Sequence, residues 1–409
     1  MDVEDVLIIN EVNNDLLEAV EHVEIPRVRM GARVNAFELS DAQFIKNFRL
    51  TKELTRVVIE SVSPFINPPS RISALTVETK VLVALHFYGH GTYQEGVGKH
   101  ITAGIGQASV SRCIRDVTVA LVNNLMDQYI KYPRNIHELR ELRNRFYRKY
   151  NFPGIIGCID GTHIAIVRPN EEEHIYVNRK NYHSLNVQLI CDENLRILNV
   201  NARFPGSCHD SHIWRHSQIS GIMENIYRHF NETFFLLGDS GYPLRPWLLT
   251  PLPDFLPNTP EERFNDRLTS IRSIIERCNG LLKNRFRCLL RHRVLHYRPE
   301  VAGNIVNACA ILHNMCIENN VAEPVEAPNM DLGIYPIENY GHREGMNPDL
   351  QGCKTITRRN YKKSFSQLMN EHILDSFSNK IQKYLYIPMY LLLHLWTIRF
   401  CVKWKKTFT

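Results

Sequence analysis

The chain has 409 residues, 44% of them hydrophobic, and a formal net charge of +6. That length allows two or three domains with cores of their own, and the apolar content excludes a disordered polyelectrolyte. Ten cysteines show no CxxC pairing, and the acidic start Met1-Asp2-Val3-Glu4-Asp5 has no secretory pattern. A disulfide scaffold is therefore excluded, and buried free thiols in a reducing intracellular compartment are expected.

Residues 1–40 read as an N-terminal extension with a weak amphipathic stretch from Val6 to Val20. Residues 41–150 read as an all-α domain, and 77–126 within it carries a helix-turn-helix pattern. Val77, Val81, Leu82, Leu85 and Tyr88 have helical spacing, and Gly89-His90-Gly91 breaks it. A short helix follows from Tyr93 to Lys99, then the turn Gly104-Ile105-Gly106, then a third helix from Gln107. Val110, Cys113 or Ile114, Val117 and Leu121 form its apolar face. Gln107, Ser109, Ser111, Arg112 and Arg115 fall on the other face, in the first turns. A DNA-recognition helix needs short polar and Arg side chains there, to reach base edges and phosphates. An ordinary three-helix packing unit fits the same pattern. Tyr132 to Asn151 reads as a charged helix linking to the next domain.

Residues 151–320 read as an α/β domain. Ile155 to Val167 suits a strand buried on both faces, with Asp160 in its middle. Leu185–Cys191 and Ile197–Phe204 read as two further strands joined by the turn Asp192-Glu193-Asn194. Asp210 opens a short helix through Trp214; N-capping is its simplest role and support of a metal site the second. His209, His212 and His216 share a face of that helix beside Cys208. Zinc is one reading of them, and exposed or DNA-facing histidines the preferred one. Thr233–Leu237 reads as a fourth strand with Asp239 just past its C-terminal end, and Trp247–Thr250 as a fifth.

Pro251–Glu262 reads as a proline-rich surface loop, and Phe264 to about Arg287 as a long helix carrying Glu276. Ile271, Ile274, Ile275, Cys278 and Leu282 form the buried stripe of that helix. Lys283 stands two turns after Glu276 on the same face, placed to hold a phosphate, with Arg285 and Arg287 following. Ten Lys and Arg between Arg263 and Arg298 outnumber the acids there, which suits a polyanion or a solvated helix face. Ala302–Ile317 reads as a core helix. Residues 321–409 read as a linker and tail. The apolar run Leu385–Val402 is interrupted by Pro388 and carries Arg399, so a membrane span is disfavoured.

Two carboxylates on strands and one on a later helix make a set that holds hard divalent cations through oxygen. Asp160, Asp239 and Glu276 are that set here. A pair of such ions can clamp the attacking and leaving oxygens of a phosphoryl displacement.

The wording around these acids is specific. Gly157-Cys158-Ile159-Asp160-Gly161-Thr162-His163, Pro205-Gly206-Ser207-Cys208-His209-Asp210-Ser211, Leu237-Gly238-Asp239-Ser240-Gly241-Tyr242-Pro243-Leu244, Trp247-Leu248-Leu249-Thr250-Pro251 and Ile275-Glu276-Arg277 follow in order. With Gly280-Leu281-Leu282-Lys283-Asn284-Arg285-Phe286-Arg287-Cys288-Leu289 they resemble the PIF/Harbinger transposases, and more closely the nucleases derived from them. The resemblance covers about 150–320 strongly and about 40–130 loosely. It implies an RNase H-like catalytic domain with a mixed five-stranded sheet flanked by helices, preceded by the helix-turn-helix-type domain. It also implies the catalytic and metal-binding triad Asp160, Asp239 and Glu276, with Mg²⁺ or Mn²⁺ as cofactor and DNA as substrate. A separate Myb-like DNA-binding partner, a nuclear location and a homo-oligomer are compatible with it. Asn279 stands where the family usually carries an aromatic residue. A catalytically silent DNA-binding protein that kept the scaffold is the alternative.

Overall fold

The computed structural model describes residues 34–68, 74–100, 102–230, 232–253 and 255–324. The amphipathic stretch Val6–Val20, nearly all of the expected linker and tail, and the apolar run Leu385–Val402 lie outside the described residues. Among those described, no helix is long and apolar enough to cross a membrane.

The chain divides into two compact units, 1–87 with 92–117 and 88–91 with 118–409. The first is helical, built on α1 (Asp41–Phe48), α2 (Lys52–Val62), α3 (Val77–His90), α4 (Gln94–Gly98) and the first half of α5 (Gln107–Tyr129). Ser40 and Thr51 start α1 and α2 by accepting from Gln43 N and Leu54 N, the usual satisfaction of orphan donors at a helix start. Phe44, Phe48, Val58, Val81, Leu85, Val97, Val110 and Val117 form its core. Lys80 Nζ meets Asp116 Oδ2 at 3.0 Å and ties α3 to α5. The three helices expected at 77–126 are present. α3 continues through Gly89 and His90, and the chain turns at Gly91 with φ 60°.

The second unit centres on a mixed sheet of β1 (Ile155–Ala165), β2 (Ser184–Cys191), β3 (Ile197–Pro205), β4 (Phe235–Leu237) and β5 (Leu248–Leu249), in the order β3-β2-β1-β4-β5. β1, β2 and β3 pair antiparallel, while β1–β4 and β4–β5 pair parallel. β2 is buried along its whole length, its polar Ser184, Asn186 and Gln188 included. β4 and β5 are shorter than expected.

Helices cover this sheet. α6 (Ile136–Tyr150) packs on β1. Its Arg145 and Lys149 bind Glu193 in the β2–β3 turn. α6 thus belongs to the second compact unit, which takes up the chain from residue 118. The short helices α7 (Glu173–Tyr176), α8 (Asp210–Arg215) and α9 (Gln218–His229) follow. α10 (Pro260–Arg285) packs on β1 and β2. It begins inside the expected loop Pro251–Glu262, because Thr259 Oγ1 accepts from Glu262 N while Glu262 reaches back to Asn258 N, with Pro260 in the first turn. α11 (Pro299–Glu318) packs on β3, where Asn314 brackets Ile197 by donating to its O at 2.7 Å and accepting from its N at 2.8 Å. The eight described cysteines are free, and all but Cys208 are buried.

Candidate active site

β1 outruns β4. Their parallel pairing ends at Cys158 opposite Leu237, so Asp160 and Asp239 each follow two residues later on neighbouring paths. Asp160 remains in β1, paired with Leu189 of β2. Asp239 lies in the turn after β4, where its Oδ1 accepts from Gly241 N at 2.9 Å. Strand pairing thus brings together two acids 79 positions apart in sequence.

α10 supplies the third acid. Its buried Arg272 lies 3.6 Å from Asp160 Oδ1 and 3.6 Å from Glu276 Oε1. Asn279, one turn further on, donates from Nδ2 to Asp160 Oδ2 at 3.2 Å. Both oxygens of Asp160 therefore face α10. Arg272 Nε and Nη1 and Asn279 Oδ1 have no hydrogen-bond partner among the described residues.

Asp210 joins this group from the other direction. It does not cap α8: His209 is the N-cap residue, and no side chain closes that helix start. The Asp210 carboxylate turns toward the sheet, where Oδ1 accepts from Asn186 Nδ2 at 2.9 Å. A Cβ on Gly161 would stand 2.2 Å from that oxygen, so only glycine admits the approach. A Cβ on Gly241 would touch Asp239 Oδ1 at 3.1 Å and Asp210 Oδ2 at 3.5 Å. The two glycines leave open the space these oxygens occupy.

The electrostatics follow from crowding. Burial pushes the Asp160 carboxyl up to about 8; Arg272 opposes this, and Asp239, Asp210 and Glu276 add to it. Burial also raises Asp210, against the Asn186 hydrogen bond and with Asp239 adding to the rise. Tyr242 is buried beside Asp210, Asp160 and Asp239, and its hydroxyl has no partner among the described residues. Like charges held this close favour a proton or a cation among them. An all-carboxylate donor set, with an orphaned hydroxyl beside it, fits a hard divalent cation. No three His, Cys, Asp or Glu side chains are already arranged around a metal-sized gap among the described residues.

The DDE superfamily endonuclease model matches residues 159–314. "Putative nuclease HARBI1" of Bos taurus is 35% identical over 319 residues, which is 76% of this chain and 87% of that protein. The Homo sapiens protein of the same name is 35% identical over 315 residues, 76% of this chain and 87% of its own. The chain belongs to the family of Harbinger transposase-derived nucleases. "Protein ALP1-like" of Arabidopsis thaliana is 27% identical over 256 residues, 60% of this chain and 61% of that protein. No solved structure matches.

The family's sequence motifs do not by themselves locate its DNA contacts, and the structure separates those expected here. Gln107, Arg112 and Arg115 are exposed on α5 and Ser109 is half-buried. Arg112 donates to Ser109 Oγ at 3.3 Å, and Arg115 lies 3.6 Å from Asp116. Lys283 and Arg285 correct the expectation, being 2% and 1% exposed. Lys283 Nζ donates to His163 O, and Arg285 Nη2 to Val321 O and Ala322 O. These cations tie the chain together from buried positions. Arg287 is half-buried. His209, His212 and His216 are exposed, with the His212 and His216 rings 4.2 Å apart. Arg272 was not singled out from the sequence, although its position four residues before Glu276 is the spacing that lets two helical side chains meet.

Proposed function

We propose that this protein is a divalent-metal-dependent DNA endonuclease of the DDE type, with Asp160, Asp239 and Glu276 as catalytic metal ligands and Asp210 as a supporting one. The observation that carries this reading is the meeting of Asp160 and Glu276 at Arg272, with Asp239 and Asp210 close enough to raise the Asp160 carboxyl. The sheet order, antiparallel through β1 and parallel beyond it, supports the RNase H-like arrangement the family resemblance implies.

Asp160 and Asp239 would hold Mg²⁺ or Mn²⁺ from adjacent chain segments, and Glu276 from the helix above. When bound, a pair of such ions activates the attacking oxygen and neutralises charge on the leaving one. Arg272 and Asn279 orient the Asp160 carboxylate. Tyr242 offers a buried hydroxyl donor beside the same oxygens. The exposed N-terminal turns of α5 would contact DNA as the recognition helix of a helix-turn-helix-type domain. A nuclear location fits a DNA substrate. A Myb-like DNA-binding partner and a homo-oligomer belong to the same proposal.

Nicking of supercoiled plasmid, run with Mg²⁺ or with EDTA, tests the reading. Cleavage is expected with Mg²⁺ alone. A protein that binds DNA but does not nick it with any divalent metal, alone or with candidate partners, is the catalytically silent alternative.

A further inference from the structure

With Lys283 and Arg285 buried, the acidic cluster needs another source of positive charge if a DNA strand is to approach it. The loop between α7 and β2 provides one. Val177 and His183 form an isolated antiparallel bridge that closes it. Asn178 is 4% exposed and anchors it internally. Its Nδ2 donates to Ser184 Oγ at 2.8 Å, its Oδ1 accepts from Lys180 N at 2.9 Å, and its backbone N and O bond Tyr182 O and Asn181 N. Asn181 takes the left-handed conformation, φ 55°, that lets the chain reverse. The Tyr182 ring carries the Arg291 guanidinium at 4.7 Å and meets His163 edge-on. The loop is thus held from within and from below, on the strand that bears Asp160.

Arg179 and Lys180 stand exposed at its tip. The loop runs straight into β2, whose Ser184 hydrogen-bonds His163, three residues from Asp160, at 3.0 Å and whose Asn186 donates to Asp210 at 2.9 Å. Arg179 also bears electrostatically on Asp210. Two cations on an anchored loop lose little freedom on binding a ligand. Their place beside clustered carboxylates offsets the repulsion a phosphate would otherwise meet. We propose that Arg179 and Lys180 grip the phosphodiester backbone of DNA next to the bond to be cut, an inference that rests on the nuclease reading. The loop is then a phosphate clamp of the catalytic unit, independent of base sequence.

The test is fluorescence anisotropy of a fluorescein-labelled random-sequence DNA duplex, titrated with protein in EDTA across a KCl series. Each phosphate neutralised contributes about −0.9 to the slope of log K against log[salt]. Changing Arg179→Gln and Lys180→Gln together should make the slope shallower by about 1.8 and weaken binding at least roughly tenfold at moderate salt, with an unchanged thermal melt. The charge-conserving pair Arg179→Lys and Lys180→Arg should keep the wild-type slope. Asn178→Ala should weaken binding while leaving the slope close to wild type. If the Gln pair melts like wild type and keeps wild-type affinity and slope, the clamp is overturned and the nuclease reading stands. Equal loss in the charge-conserving pair also overturns it, by showing a role in shape and not in charge. A wild-type protein that binds no duplex overturns the clamp, while plasmid nicking with Mg²⁺ and candidate partners tests the nuclease reading separately.

Discussion

Asp160 and Asp239 each stand two residues beyond a paired position, Cys158 and Leu237, on adjacent parallel strands. The equal offsets put both acids just past the last residues that the two strands pair. β4 stops before Asp239 while β1 continues past Asp160, so the sheet opens where the acids stand. Asp160→Asn, Asp239→Asn and Glu276→Gln keep side-chain shape and remove one charge each. Each should abolish Mg²⁺-dependent plasmid nicking and leave DNA binding intact. Thermal melts should show folding retained, since fewer like charges remain to repel. Full cleavage by one of these variants would remove that residue from the mechanism.

Arg272 lies between Asp160 and Glu276 with no exposed charge of its own to lose. Removing one member of a buried ion network leaves the others uncompensated, at a cost of roughly 3 kcal/mol. Arg272→Gln should lower the metal-free melting temperature accordingly. Added Mg²⁺ should restore more stability to the variant than to wild type, because the cation takes over the missing charge. Equal Mg²⁺ shifts in both proteins would show that Arg272 does not share the metal's ligands.

Lys283→Met and Arg285→Met should act on stability. Each removes a charged donor to buried carbonyls, a bond worth about 1.5–3 kcal/mol. Chemical denaturation should show the loss. The salt dependence of DNA binding should stay as in wild type for whichever variant remains folded. A shallower slope would return these residues to the DNA surface.

Arg112→Ala and Arg115→Ala should weaken DNA binding most at low salt, with little change in melting, since both side chains are exposed. Unchanged affinity in the pair would shift DNA binding by this chain to the catalytic unit.

His163 supplies a pH dependence. Burial first, then the charges of Lys283, Arg179 and Lys180, holds its imidazole down at about 4, against about 6.5 in an unfolded chain. The unfolded state therefore binds the proton more tightly. Stability from this residue is present above about pH 6.5 and is lost as pH falls toward about 4. Urea denaturation at about pH 7 and about pH 5 should show a smaller acid loss in His163→Gln than in wild type. The same loss in both would assign the acid sensitivity elsewhere.

Asn279 shows how a departure from a family pattern is settled by geometry. From sequence it is a polar residue at a usually aromatic position. In the structure it is buried and donates from Nδ2 to Asp160 Oδ2 at 3.2 Å, a polar role that the sequence position did not suggest.

The sequence by itself determined the helical first unit, the strand-rich second unit, the family and the three candidate acids. Each of these is written locally: helical spacing between glycine turns, apolar runs of strand length, and an acid embedded in its own short motif. Tertiary structure alone decided which cations face outward and where Asp210 points. Periodicity assigns a residue to a helix face but does not say what covers that face. α10 lies against β1, β2 and α11 together, so every residue from Cys278 to Arg285 is buried, and Lys283 and Arg285 leave the surface while Arg263, Arg267 and Arg277 stay on it. Asp210 has the sequence position of a helix cap, yet Asn186, 24 positions earlier, offers its carboxylate a buried partner, and the bare backbone of Gly161 leaves room to reach it.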